Sequence, residues 1–216
     1  MKIFQKFLVA ALLVSAVGAS ASIPDLWGVY EWEFTEPVHL MVAPDGSGYP
    51  FSQATMYGGA PVDARLRIQL WIQDGWDPAA PLVGFPGEDM WLEADGLWNC
   101  IGGSSPEGNS DAEGWIEFSL PPRMGGWMDI SVQPPALQVM IMGDTLRDEN
   151  GGLLAPAIAV NSPDINADLV VNLADLNHFA TDFFGAYSFR SDFHWDGVIN
   201  LADVGRFATA LGAECP

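Results

Sequence analysis

The sequence predicts a mainly β protein with a small α C-terminal domain: an antiparallel sandwich followed by two loop–helix units. Three observations carry this reading. Residues 65–73, "RLRIQLWIQ", alternate strictly between apolar and polar, the period of a half-buried strand. Clusters rich in Gly, Pro, Asp and Asn punctuate residues 22–161, as frequent turns between short strands require. Finally, the acidic segment "DINADLVVNLAD" (Asp164–Asp175) returns as "DFHWDGVINLAD" (Asp192–Asp203), each copy leading into an apolar-periodic stretch.

The chain begins with a different signature. Lys2 and Lys6 precede the apolar run Phe7–Gly18, and Ala19–Ala21 supplies a small-residue cleavage site. Residues 1–21 therefore read as an export signal, and the expected destination is secretion or the cell surface. No later stretch is long and apolar enough for a membrane helix, so no membrane span is expected. Of 216 residues, 28 are acidic and eight basic, for a net charge of −20. Both lysines lie in the signal, so the remainder sets six arginines against those acids. That balance excludes a nucleic-acid partner and suits cations. The two cysteines, Cys100 and Cys215, are either free or joined; joined, they would tie the C-terminus back to the first domain.

In the β region, Leu66, Ile68, Leu70 and Ile72 share one face of residues 65–73, with Arg65, Arg67, Gln69, Trp71 and Gln73 on the other. Further strands are expected in Pro37–Ala43, Trp115–Leu120 and Leu137–Met142. The intervening turns include "APDGSGYP", "QDGWDP", "FPGEDM", "SSPEGNSDAEG" and "PPRMGG". In the fourth, Asp111 is placed to accept backbone N–H groups and Gly114 to adopt left-handed backbone. The strand, the "G-x-P" (Gly84–Pro86) and the Ser110, Asp111, Gly114 turn resemble the immunoglobulin-like or carboxypeptidase-regulatory-like modules of bacterial surface proteins. That resemblance covers roughly 60 residues and implies a structural or adhesive role.

Asn161–Pro163 marks the boundary to the second domain, residues 162–216. Here Leu173, Leu176, Phe179, Ala180 and Phe183 fall on one helical face, and Leu201, Val204, Phe207, Ala208 and Leu211 repeat it. Neither stripe can be buried alone, so the helices are expected to pair. Asn172 and Asn200 stand as N-caps, with Asp175 and Asp203 three residues on to complete capping boxes. Gly185 and Gly212 are the expected stops.

A twelve-residue loop holds Ca²⁺ through its first, third, fifth, seventh, ninth and twelfth residues. In the first copy these are Asp164, Asn166, Asp168, the Val170 carbonyl, Asn172 and Asp175. In the second they are Asp192, His194, Asp196, the Val198 carbonyl, Asn200 and Asp203. Two calcium ions are thus expected. This duplicated loop, with Asp at the twelfth place and one helix after each copy, resembles the type I dockerin. The resemblance covers about a quarter of the chain. It implies two calcium loops, two antiparallel helices related by a pseudo-two-fold axis, and docking onto a cohesin-like domain. Two positions depart from the pattern. Leu169 stands where the sixth place takes Gly, at an expected strain of about 1 kcal/mol. His194 brings a softer ligand to the third place, or leaves that place to water. At the tenth and eleventh places, Leu173–Ala174 and Leu201–Ala202 replace the polar pair typical of dockerins that bind cellulosomal cohesins.

No catalytic constellation stands out, and the protein is expected not to be an enzyme. His39 reads as solvent-facing or hydrogen-bonded within the fold, and His178 as a surface residue. Glu31, Glu33 and Glu36 of "EWEFTE" read as an exposed strand face rather than a glycosidase pair. Nine tryptophans either fill the sandwich core or form a sugar-stacking face, which makes polysaccharide an alternative partner.

Overall fold

The computed structural model describes residues 29–32, 37–72, 80–131, 137–147, 152–153 and 155–216. Residues 1–21, read above as an export signal, lie outside them, as do Trp27, Glu33, Glu36 and Trp76. Among the described residues the protein is mainly β, with two α-helices: α1 (Leu173–Phe183) and α2 (Leu201–Ala210). Neither is long and apolar enough to cross a membrane.

The strands, in chain order, are β1 (Val29–Trp32), β2 (Val38–Met41), β3 (Ala54–Met56), β4 (Pro61–Val62), β5 (Leu66–Gln69), β6 (Trp71–Ile72), β7 (Ala80–Pro81), β8 (Met90–Glu93), β9 (Leu97–Asn99), β10 (Trp115–Phe118), β11 (Met124–Met128), β12 (Gln138–Ile141), β13 (Asp144–Thr145) and β14 (Ile158–Asn161). The largest sheet runs β4-β3-β2-β14-β11-β9. Smaller sheets are β1-β5-β10, β13-β12-β8 and β6-β7. The expected alternation holds as far as Trp71: Leu66, Ile68 and Leu70 are fully buried, while Arg67, Gln69 and Trp71 are half-buried; the Ile72 side chain and Gln73 lie outside what the structure describes. The segment breaks at Leu70, whose N–H turns to the Gly114 carbonyl and whose carbonyl accepts from Leu82, so β5 and β6 serve different sheets. The predicted turn also forms: Asp111 Oδ1 accepts from the N–H of Glu113 (3.0 Å) and Trp115 (2.8 Å), and Gly114 has φ +82°.

The structure corrects several expectations. The sheets are not all antiparallel, since β14 runs parallel to β2, Ile158 opposite Val38 and Asn161 opposite Met41. Parallel neighbours need a long crossover, and the rest of the β region provides it. "PPRMGG" is not wholly a turn, because Met124, Gly125 and Gly126 belong to β11. The core is built from Leu, Ile, Val, Met and Phe. The described tryptophan side chains do not fill it: Trp71, Trp91, Trp115 and Trp195 are half-buried, and Trp98 and Trp127 are exposed.

The large sheet positions the C-terminal region. On β2, Val38 and Leu40 face the main core, while Met41 joins a second cluster with Ile165, Val171, Phe179, Phe193 and Phe207. Strand β2 is thus buried on both faces, which explains why "VHLM" carries no clean alternation. The helices meet through Phe179 and Phe207, stacked at 5.4 Å, and Phe193 stacks on Phe179 at 5.8 Å. The expected apolar stripes, however, are rotated. The buried faces are Asp175–Phe179–Asp182 and Asp203–Phe207–Ala210. Leu173 and Leu201 are 74% and 79% exposed, and Leu176, Val204 and Leu211 are exposed too. The capping boxes cause this. Asp175 and Asp203 must point back into their loops, so the face that bears them turns inward and the leucines turn out. Gly212 takes the left-handed conformation at φ +90°, whereas Gly185 does not.

Candidate metal centre

The two acidic loops share one backbone. Left-handed residues occur at the fourth and sixth places of both: Ala167 (φ 61°) and Leu169 (φ 68°), then Trp195 (φ 53°) and Gly197 (φ 84°). Only one of these four is glycine, so the sequence adopts the loop against local preference. Leu169 has the strained conformation expected of it.

The carboxylates are held alike. Asp164 accepts from the N–H of Asp168 (3.1 Å) and Leu169 (2.8 Å). Its counterpart Asp192 accepts from Asp196 (3.2 Å) and Gly197 (2.9 Å). Asp175 accepts from Asn166 (3.1 Å) and Asn172 (2.9 Å), and Asp203 from His194 (2.9 Å) and Asn200 (2.8 Å). Asp168 and Asp196 bond the N–H of Val170 and Val198. Asn172 and Asn200 cap their helices at 2.7 Å through Ala174 and Ala202. Their amides donate to the Val170 and Val198 carbonyls at 3.1 and 3.3 Å. Asn166 turns its amide to Asp168 at 3.0 Å.

In the first loop Asp164, Asp168 and Asp175 bring carboxylate oxygens within 4.8 Å of one another. Asp164 and Asp175 are fully buried. Burial, followed by the nearby Asp175 and Asp168 charges, outweighs the amide bonds and pushes the Asp164 carboxyl up to about 6. Burial likewise raises Asp192 and Asp203. Converging, partly desolvated hard oxygens of this kind could hold a hard divalent cation, which would supply the positive charge that backbone amides cannot.

The second loop differs in two ways: among the described residues Asp192, Asp196 and Asp203 do not draw together as the first trio does, and His194 stands at the third place. Arg206 donates to His194 Nδ1 at 2.8 Å, since guanidinium has no acceptor. Nε2 packs towards Gly59, where a Cβ would lie 2.6 Å away. With Nδ1 engaged and neutral Nε2 carrying its hydrogen, the ring offers a cation no lone pair. Arg206 also lies 4.7 Å over the Tyr49 ring, joining this loop to the β region.

Both loops are seated on the large sheet. A Cβ on Gly125 would fall 1.8 Å from Asp164 Oδ2, and the Gly126 N–H donates to the Asp164 carbonyl at 2.7 Å. The Gly58 N–H donates to the Trp195 carbonyl. Asn161 on β14 donates to the carbonyls of Phe189 (3.0 Å) and Asp192 (2.9 Å) and accepts from His39 Nε2 (2.8 Å). His39 is buried, with Thr55 Oγ1 at 3.1 Å from Nδ1, so it is a structural residue rather than a solvent-facing one. Burial lowers its pKa to about 4. His178 is half-buried. The cysteines are joined: Cys100 and Cys215 form a disulfide, Cα atoms 5.7 Å apart, that anchors the C-terminus beside β9.

Four contributors had no clear sequence signal: Gly125, Asn161, Tyr187 and Arg206. Tyr187 donates to Asp192 Oδ2 at 3.0 Å. Asp182, Arg190 and Ser191 form a further buried anchor, with Arg190 donating to both carboxylate oxygens at 2.7 and 2.9 Å. Burial opposes ionisation of Asp182, but these bonds outweigh it and hold its carboxyl below the usual range. No family model, curated protein or solved structure matches the chain.

Proposed function

We propose that the chain is an exported, non-catalytic calcium-binding protein: an immunoglobulin-like sandwich joined to a dockerin-like module that docks onto a cohesin-like partner. The observation that carries this reading is the convergence of Asp164, Asp168 and Asp175 within 4.8 Å, on a loop whose backbone recurs in the second copy. Asp164, Asp168 and Asp175, with Asn166, Asn172 and the Val170 carbonyl, would hold one ion. Asp192, Asp196 and Asp203, with Asn200 and the Val198 carbonyl, would hold the other, and water takes the place of His194. Bound calcium neutralises the loops and so fixes the helices that follow them. Leu173, Leu176, Leu201 and Val204 then form an exposed apolar docking surface.

Surface plasmon resonance of the full chain over a set of cohesin domains tests the docking. The expected result is binding in calcium that is lost in chelator, and lost again when Leu173→Asp and Leu201→Asp are combined. No binding to any of them in calcium overturns the reading.

A second reading, a carbohydrate-binding accessory protein of a polysaccharide-degrading system, is favoured by the tryptophans. Trp98 is 64% exposed and opposite Gly125; Trp127 lies two residues from Gly125 along β11, so both project from one sheet face.

A further inference from the structure

A cleft of about 700 Å³ opens where the β3–β4 turn, the end of β11 and the second acidic loop meet. Met56, Tyr57, Asp129, Tyr187, Phe189 and Trp195 line it. Its volume lies within the range of small-ligand sites. Tyr57 and Tyr187 are 70% and 53% exposed, an unusual amount of aromatic surface to leave in water within one concavity. We propose that this cleft binds a neutral saccharide, an inference that rests on the carbohydrate reading above and gives it a site.

Two of the three aromatic rings are anchored by the protein itself. Trp195 is held through its backbone, its N–H donating to the Asp192 carbonyl and its carbonyl accepting from Gly58. Its ring lies against buried His39 at 5.6 Å. Tyr57 stands perpendicular to it, at 5.7 Å and 88°. Tyr187 is anchored through its hydroxyl to Asp192 at 3.0 Å. Aromatic surface anchored at Trp195 and Tyr187 matches the C–H faces of a pyranose ring, exposed Tyr57 adds a wall, and preorganisation of the anchored part lowers the entropic cost of binding.

The polar groups narrow the class. Asp129 accepts from the Ser131 N–H (2.8 Å) and Oγ (2.7 Å), and a carboxylate has further acceptor sites for sugar hydroxyls. No lysine or arginine is among the described lining residues, and the charged group in the lining, Asp129, is acidic. An anionic ligand is therefore disfavoured. An organic cation suits the charge, but Tyr57 stands too far into solvent to close the cage such a cation needs.

The test is isothermal titration calorimetry of the full chain, in calcium, against neutral hexasaccharides of β-1,4-linked glucose, xylose and mannose. Oligogalacturonate and tetramethylammonium serve as charged probes. We expect at least one neutral hexasaccharide to bind. Tyr57→Ala should weaken that binding by roughly tenfold or more without lowering the melting temperature, and Val83→Ala, exposed and outside the cleft lining, should leave it unchanged. If Trp98→Ala abolishes binding and Tyr57→Ala does not, the cleft assignment is wrong and the carbohydrate reading survives. If no neutral sugar binds, both fall. Binding of tetramethylammonium or oligogalacturonate in place of the neutral sugars overturns the ligand class.

Discussion

Gly125→Ala is the sharpest perturbation of the seat beneath the first loop. The new Cβ would lie 1.8 Å from Asp164 Oδ2, 2.7 Å from its Cγ and 3.3 Å from its Cβ. No rotamer change of alanine relieves this, so Asp164 or β11 must move. Asp164 is tied at both ends, by its carboxylate to the amides of Asp168 and Leu169 and by its carbonyl to Gly126. Overpacking of this kind costs about 1–3 kcal/mol, and each displaced amide bond adds about 1 kcal/mol. With the one bond to the clashing Oδ2, that from Leu169, displaced, the sum is about 2–4 kcal/mol, which corresponds to a melting temperature lowered by roughly 5–15 °C for a chain of this size. The assay is scanning calorimetry with and without calcium, with Gly108→Ala as control, since a Cβ there meets nothing within 4 Å. If Gly125→Ala melts like Gly108→Ala, the loop does not rest on the sheet as described.

Two other outcomes are expected. Gly197→Ala should lower stability by about 1–2 kcal/mol, because φ is +84° there. The added Cβ also meets Tyr57 Oη at 2.7 Å, so Tyr57→Ala should recover the steric part of the loss but not the backbone part; an unaltered melt for Gly197→Ala alone refutes this. His39 is neutral when folded, its pKa held near 4 by burial against 6.5 unfolded. The stability this provides is present above pH 6.5 and is lost as pH falls towards 4, by about 3 kcal/mol. Asp164, raised to about 6, acts in the opposite sense: its contribution is present at low pH and is lost as pH rises through 6. The two are separated by subtracting the melting profile of His39→Gln from that of the parent chain between pH 4 and 7. A flat difference refutes the role given to His39.

Much of the C-terminal region was legible, because capping boxes and turn geometry depend on neighbours within a few residues. Asn172 with Asp175, and Asn200 with Asp203, close as their spacing demands. The strands at residues 66–69 and 115–118 were legible for the same reason: one face is buried and the period is two. What escaped depends on the second partner. "VHLM" has no alternation because the loop–helix region covers the face that would otherwise meet water. The exposed leucines of α1 and α2 resembled a core stripe because periodicity reports an apolar face without saying whether that face meets the core or the solvent. Gly125 and Gly126 resembled a turn because glycine serves both turns and close approach within a strand. The parallel pairing of β2 with β14 joins segments whose local patterns carry no record of each other.

Calcium titration of the full chain by isothermal calorimetry, alongside Asp168→Ala and Asp196→Ala, tests the central claim most directly. Asp168 is exposed and Asp196 half-buried, and neither belongs to the apolar core, so replacing them removes a donor without opening a core cavity. The account predicts saturable binding at two sites, with one site weakened in each variant. A titration without binding heat, paired with melting curves that calcium does not move, would contradict it.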